Sequence, residues 1–269
     1  MSSISNPLDL YKHLEQSNCR QCLLPSCMAF AAAVIQGQKQ LGDCSQLSEE
    51  TITLLSGGIV QRKTLEEEQK KGLAELQQQL AQQDLGEIAA KRNLPVKENR
   101  IGVRCLGKYF WIDAQGAMTS ECHTNNWVHG PVLNYLLSNK VQKPVGEWIS
   151  FRKIPGAADW ENFFSHRCEQ EMRQLADAHT ELFFDLLALF EVEELKRVND
   201  SDRSLVLYPL PKLPFLISYW EPEEPFPSQL TLLFDKAASE NIEPGVIYAL
   251  GRGMVEMFKR LIVQHSASI

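Results

Sequence analysis

No stretch of this sequence reaches the ~18–20 apolar residues that a membrane-spanning helix needs. The best candidate, Met28 to Ile35, is far too short. There is no Walker-type phosphate loop and no Gly-x-Ser-x-Gly elbow, so the nucleotide and acyl-transfer chemistries those motifs carry have no anchor here. Gly251-Arg252-Gly253 lies in a helical pattern with no preceding strand and reads as helix packing. Clustered positive charge is also scarce. The net charge is −7, and the densest basic group, Lys70-Lys71, is flanked by Glu66, Glu67, Glu68 and Glu75. That run reads as a solvated helix face, and a phosphate backbone would want more; nucleic acid is therefore not expected as a partner. The start, Met-Ser-Ser-Ile-Ser-Asn-Pro, has no basic region and no apolar signal core, and the expected setting is cytoplasmic. Cysteines in a reducing compartment are metal ligands or plain thiols more often than disulfides.

What the chain has in quantity is an uneven distribution of its seven cysteines. Four fall within 19–44, and Cys105, Cys122 and Cys168 are spread over the rest. This asymmetry divides the chain into a cluster-binding module over 1–56, a polar helical linker over 57–95, and a C-terminal domain over 96–269. With 44% apolar residues, the larger part can build its own core. The expected fold class is α+β (or α/β): a small helical module joined by a polar helix to a larger mixed domain.

Periodicity predicts a short helix over 7–16, then a helix capped by Ser26 and ending near Gly37, and a third beginning at Ser48. Leu73, Leu76 and Leu80 form one stripe on the linker helix. A hairpin is expected at 100–106 and 109–112, turning near Gly107-Lys108. Further on, helices are expected over 127–138, 160–190 (one long element) and 244–263, with strands at 204–208, 215–220 and 230–234.

The spacing Cys19-x2-Cys22-x4-Cys27-x16-Cys44 suits a cubane, which needs four converging thiolates. Three come from one tight loop and the fourth returns after a helix. Cys27 in the first helical turn sets backbone N–H groups and the positive end of the helix dipole beside an anionic centre. The rival centres are zinc, which usually takes two short Cys-x2–4-Cys pairs, and a two-iron cluster, whose plant-type gaps run in the reverse order. The spacing favours [4Fe–4S] over both.

The run Asn18-Cys19-Arg-Gln-Cys22-Leu-Leu-Pro25-Ser-Cys27-Met-Ala-Phe30-Ala31, with Gly37 and Asp43-Cys44, resembles the iron–sulfur module of the large subunit of corrinoid iron–sulfur proteins. It is also similar to the module of the electron-transport complex subunit RnfB. The resemblance covers roughly residues 5–50. It implies that Cys19, Cys22, Cys27 and Cys44 ligate a [4Fe–4S] cluster. Arg20 and Leu23 stand where that family often has glycine. From about 97 to 265, Gly146-Glu-Trp148-Ile-Ser-Phe151-Arg152, Pro209-Leu-Pro211 with Pro214, and Phe234-Asp235 resemble an uncharacterised domain that follows this module in anaerobes. It carries no established activity.

In the second module, Cys122 and His123, with His129 further on, could hold a metal or present a reactive thiol; a polar loop before the helix at 127 explains the same letters. His166 and Cys168, two apart, face different sides of a regular helix, and Cys168 reads as core. Gly146-Glu147-Trp148 with Arg152 could meet an anionic planar ligand, though a strand and its turn account for it. The reading is an iron–sulfur protein that passes one electron to a redox partner protein or a corrinoid/tetrapyrrole protein. Its alternatives are a cluster-dependent enzyme with a second site around Cys122/His123, and a non-catalytic accessory or sensor protein. No catalytic residue is assigned.

Overall fold

Ser26 breaks the chain out of an extended conformation and accepts the Ala29 N–H at 3.1 Å, so the apolar run behind it begins a helix where the sequence says it should. In the computed structural model, which describes residues 4–59, 65–122, 126–196 and 198–266, this helix is α2 (Cys27–Ile35). Contacts divide the chain into two units, 1–71 and 72–269.

In the first unit, α1 (Pro7–Tyr11) is capped by the Asn6 side chain. It is shorter than the expected 7–16: past Tyr11 the chain tightens into i→i−3 turns, His13 N–H to the Leu10 carbonyl and Leu14 N–H to the Tyr11 carbonyl, before it turns left-handed at Gln16. Ser48 caps α3 (Glu49–Ser56) as expected. Leu10, Leu14, Phe30, Val34, Leu41 and Leu55 close a small core between these helices.

The unit boundary falls inside α4 (Leu65–Leu80). A further helix, α5 (Leu85–Arg92), has an Asp84 N-cap and a left-handed Asn93 at its end. Leu80 and Ala89 are buried in the larger unit's core, with Leu73, Leu76, Leu85 and Ile88 packed against it. The stripe read from the sequence is thus the face that packs, and the second half of the polar segment contributes to the larger unit.

The larger unit is mixed α+β. One antiparallel sheet is built from β1 (Val96–Lys97), β2 (Arg100–Cys105), β3 (Lys108–Ile112) and β4 (Met118–Ser120), in that order. The β2–β3 turn sits at Leu106-Gly107, one residue earlier than expected, with both residues at positive φ (47° and 80°). Such a two-residue turn follows the right-handed twist of the strands. Next come α6 (Asn126–Leu137), β5 (Trp148–Ser150), α7 (Glu161–Phe164), α8 (Glu171–Ala178) and α9 (Thr180–Ala188). β6 (Glu193–Glu194), β7 (Arg203–Leu210), β8 (Leu213–Trp220) and β9 (Gln229–Asp235) follow. With β5 they form a second antiparallel sheet ordered β5-β9-β8-β7-β6. α10 (Pro244–Ser266) closes the unit.

The single long helix expected over 160–190 is several pieces. A π-helical turn, Ser165–Gln170, separates α7 from α8, and the chain breaks at His179 (φ −144°, ψ 50°). Thr180 Oγ1 donates back to the Ala176 carbonyl at 2.8 Å, a bond that bends helices. The break turns Phe183, Phe184, Leu186 and Leu187 into the core, where Phe183 meets Phe258 of α10 at 5.3 Å between ring centroids. Phe234 of β9 lies at the centre of a second aromatic group, touching the rings of Phe151, Phe164 and Phe215. Gly253 brings α10 close to Trp127: a Cβ there would stand 2.4 Å from the indole. Gly251 does the same against Phe164 and the Cys168 sulfur. The Gly251-Arg252-Gly253 run is helix packing, as its sequence context indicates.

Candidate metal centre

Cys19, Cys22, Cys27 and Cys44 line one small concavity in the first unit, whose floor includes Phe30 and whose rim includes Glu15 and Arg20. Three local devices bring them there. First, the loop from 16 to 23 holds four non-glycine residues at positive φ: Gln16 (55°), Asn18 (50°), Arg20 (61°) and Leu23 (65°). Alternating left-handed residues curl a backbone tightly and make concavities that favour anions. Each costs a non-glycine residue roughly 1–2 kcal/mol. Arg20 and Leu23, the departures from the resembled family, are two of these positions, which explains glycine's frequency there.

Second, Asn18 and Cys27 are tied reciprocally. The Cys27 N–H donates to Asn18 Oδ1 at 2.8 Å, and the Asn18 N–H donates to Cys27 Sγ at 3.3 Å. One of the first-turn N–H groups expected to face the centre is therefore held by Asn18, and in exchange an N–H reaches a ligand-type sulfur. Third, Gln21 Oε1 accepts from Gln46 Nε2 at 3.2 Å and from Ser45 Oγ. This strap joins the Cys19–Cys22 loop to the segment that carries Cys44. Cys44 follows a 3₁₀ turn, Leu41–Asp43, closed by Gln40 and Asp43. The roles of Asn18 and Gln21 went unread in the sequence. Their signal was a pair of amides interleaved with cysteines in an otherwise loop-like run.

Cys19 is exposed, and Cys22, Cys27 and Cys44 are half-buried against the helical core. Among the described residues no three His, Cys, Asp or Glu side chains are drawn together closely enough for a single ion. A four-thiol donor set around one concavity, with a backbone N–H on one sulfur, fits an iron–sulfur centre, whose thiolates stand at the corners of a polynuclear core.

The second-unit candidates fare differently. Cys105 is buried and its thiol is pushed well up by burial. Cys168 is fully buried, pushed up to about 12 by burial, with Sγ 3.9 Å from the Tyr248 carbonyl. It is the core residue the sequence indicated. Cys122 is half-exposed after β4. Its suggested companion His123 lies outside the described residues, and His129 Nε2 is engaged with the Gly116 carbonyl at 2.7 Å. His166 Nδ1 meets Gln170 Oε1 at 2.9 Å. The Gly146 turn is held by Asp235, which is buried and accepts the N–H groups of Val145, Gly146 and Ala238 at 2.8, 2.6 and 2.9 Å. Trp148 then enters β5 opposite Asp235, and Arg152 pairs with Glu161 at 3.5 Å. Strand and turn account for these residues.

Comparison with known proteins sorts the two parts in the same way. Residues 14–46, spanning all four clustered cysteines, match a family model described as "Putative Fe-S cluster". The gamma 1 subunit of the acetyl-CoA decarbonylase/synthase complex of Methanosarcina thermophila is 45% identical over 47 residues. The gamma 2 subunit of Methanosarcina mazei matches to the same degree, and the gamma subunit of Methanosarcina acetivorans is 43% identical over 47 residues. Each match covers 18% of this chain and 10% of the relative, so the chain spans about a tenth of the length of these curated relatives. No solved structure matches. Among the described residues no helix is long and apolar enough to cross a membrane. The cysteine-rich part makes this an iron–sulfur protein. Residues 84–257, most of the chain, match the model described as "Domain of unknown function (DUF3786)", and the chain belongs to that family.

Proposed function

We propose that this protein carries one electron through a [4Fe–4S] cluster held by Cys19, Cys22, Cys27 and Cys44. The observation that supports it most is the lining of a single concavity by those four thiols. When bound, the cluster supplies one-electron chemistry whose potential answers to hydrogen bonds on sulfur and to solvent access. The protein's own residues set those two quantities. The Asn18 N–H on Cys27 Sγ stabilises added negative charge. Phe30 beneath excludes water on one side, while exposed Cys19 keeps the other side close to solvent. A partner can therefore approach from the Cys19 side.

The electron acceptor in this reading is a redox protein, with a corrinoid or tetrapyrrole protein as the specific candidate. That candidate rests on the resemblance of residues 5–50 and on the gamma-subunit relatives. A cytoplasmic setting belongs to the same reading. So does the division into a cluster module over 1–56, a connector over 57–95 and a C-terminal domain over 96–269; two separate cores support it. Burial of Leu80 and Ala89 indicates that the connector's second half travels with the C-terminal domain.

Anaerobic reconstitution tests the assignment. Wild type should hold about four irons and four sulfides per chain, and Ala at any of the four cysteines should lower both. Full occupancy in one variant removes that residue from the ligand set. Stoichiometric zinc without iron refutes the reading.

A further inference from the structure

The larger unit contains a cavity of about 270 Å³ between the β2–β3 hairpin, the Pro209-Leu210 corner and α10, close to the lower end of ligand pockets, roughly 300–1,000 Å³. Its walls are Phe110, Trp127, Phe190, Met254, Met257 and Leu261, with the thiols of Cys105 and Cys122. Methionine and aromatic walls accept varied apolar shapes. The cavity forms where the two sheets meet, since the Leu106 N–H donates to the Tyr208 carbonyl at 2.9 Å. Trp127 reaches its place because position 253 has no side chain.

Among the described residues the lining carries no acid and a single cation, Lys108. Lys108 is the residue opposite Cys105 at the start of β3. It lines the cavity yet is exposed to solvent, and no described acid pairs with it. Buried Cys105 has a thiol kept neutral, so it adds no negative charge inside. An apolar body below one unpaired cation is complementary to an apolar molecule ending in an anion.

We propose that this cavity binds an apolar monocarboxylic acid, with its chain among Phe110, Trp127 and the methionines and its carboxylate at Lys108. The site lies entirely in the second unit and stands apart from the cluster reading: loss of the cluster leaves it intact.

Isothermal titration of the whole purified chain with octanoate tests this, with octanol as the uncharged counterpart. Octanoate should bind saturably at one site. Lys108→Gln, at an exposed position, should weaken octanoate about fivefold, the scale of a solvent-exposed charge pair, and leave octanol unchanged. Met257→Trp, which fills the cavity from a half-buried position, should abolish both. Absence of saturable binding overturns the proposal. So does equal octanoate affinity in wild type and Lys108→Gln, or undiminished binding in folded Met257→Trp. If Met257→Trp does not fold by circular dichroism, the Lys108 comparison decides alone.

Discussion

The same side chain does opposite things in the two units. In the first, Cys19 and Cys22 stand on a strained loop, Cys27 opens α2 and Cys44 follows a 3₁₀ turn, and the surrounding backbone and amide groups are arranged around sulfur. In the second, Cys105 and Cys168 sit among aromatic and aliphatic side chains, and burial holds them as neutral thiols. Cysteine type therefore carries little information alone. What separates a ligand from a small hydrophobe is whether polar backbone and solvent reach the sulfur.

The sharpest way to test that contrast is to damage one unit and read the other. Phe234→Ala should cost about 3–5 kcal/mol, the usual range for a buried phenylalanine, because three other rings rest on Phe234. Iron content per chain should stay at the wild-type value. A parallel loss of iron and of the denaturation midpoint in urea would merge the two units into one cooperative system.

High pH should also act on the second unit. A thiol raised by burial contributes stability that is complete below its unfolded value and is lost as pH climbs above it. Cys168 is shifted from 9.0 to about 12, so its contribution falls away between those values, at about 1.4 kcal/mol per pH unit. Denaturation midpoints followed from pH 8 to 11 should drop, and Cys168→Ala should flatten the slope. At pH 8 the same shift predicts roughly a thousandfold less thiolate than an unburied thiol. Mass-mapped alkylation of the cluster-free protein should accordingly label the first four cysteines well before Cys105 or Cys168.

Within the first unit, Asn18→Ala removes the side-chain acceptor of the Cys27 N–H. A loss of about 1 kcal/mol is expected, the net worth of one such bond, together with faster iron loss to a chelator. Unchanged chelation kinetics would make Asn18 a bystander. The smallest effect belongs to Arg20→Gly, which relieves a left-handed arginine at φ 61° but frees the unfolded chain. The two terms oppose, leaving a gain of about 0.5 kcal/mol. A destabilised variant would mean that the Arg20 side chain, not its backbone, matters to the loop.

The local parts of this architecture were legible. Ser26 and Ser48 announced helix starts because a hydroxyl at the cap accepts a free first-turn N–H, before an apolar run at Ser26 and before the acidic Glu49-Glu50 at Ser48. The Leu73-Leu76-Leu80 stripe marked a packing face, and the hairpin was misplaced by one residue only because a two-residue turn depends on both of its φ angles. The break at His179 was not legible. Residues 160–190 have helical periodicity throughout, and the bend follows from Thr180 bonding back to Ala176 while Phe183 reaches Phe258. The gathering of Cys105, Lys108, Cys122, Met254 and Met257 around one cavity joins positions more than 140 residues apart, beyond any spacing rule.

By itself the sequence determined the candidate ligand set, since four cysteines within 26 positions are joined by chain segments too short to separate far. It also determined the local helix starts, where cap and first turn are neighbours in the chain. Only the tertiary structure decided that Asn18 and Gln21 brace the thiols, that burial keeps the Cys105 thiol neutral, and that an apolar cavity opens beside Lys108. Each of these depends on which distant surfaces exclude water from a side chain, and burial is a property of the packed whole.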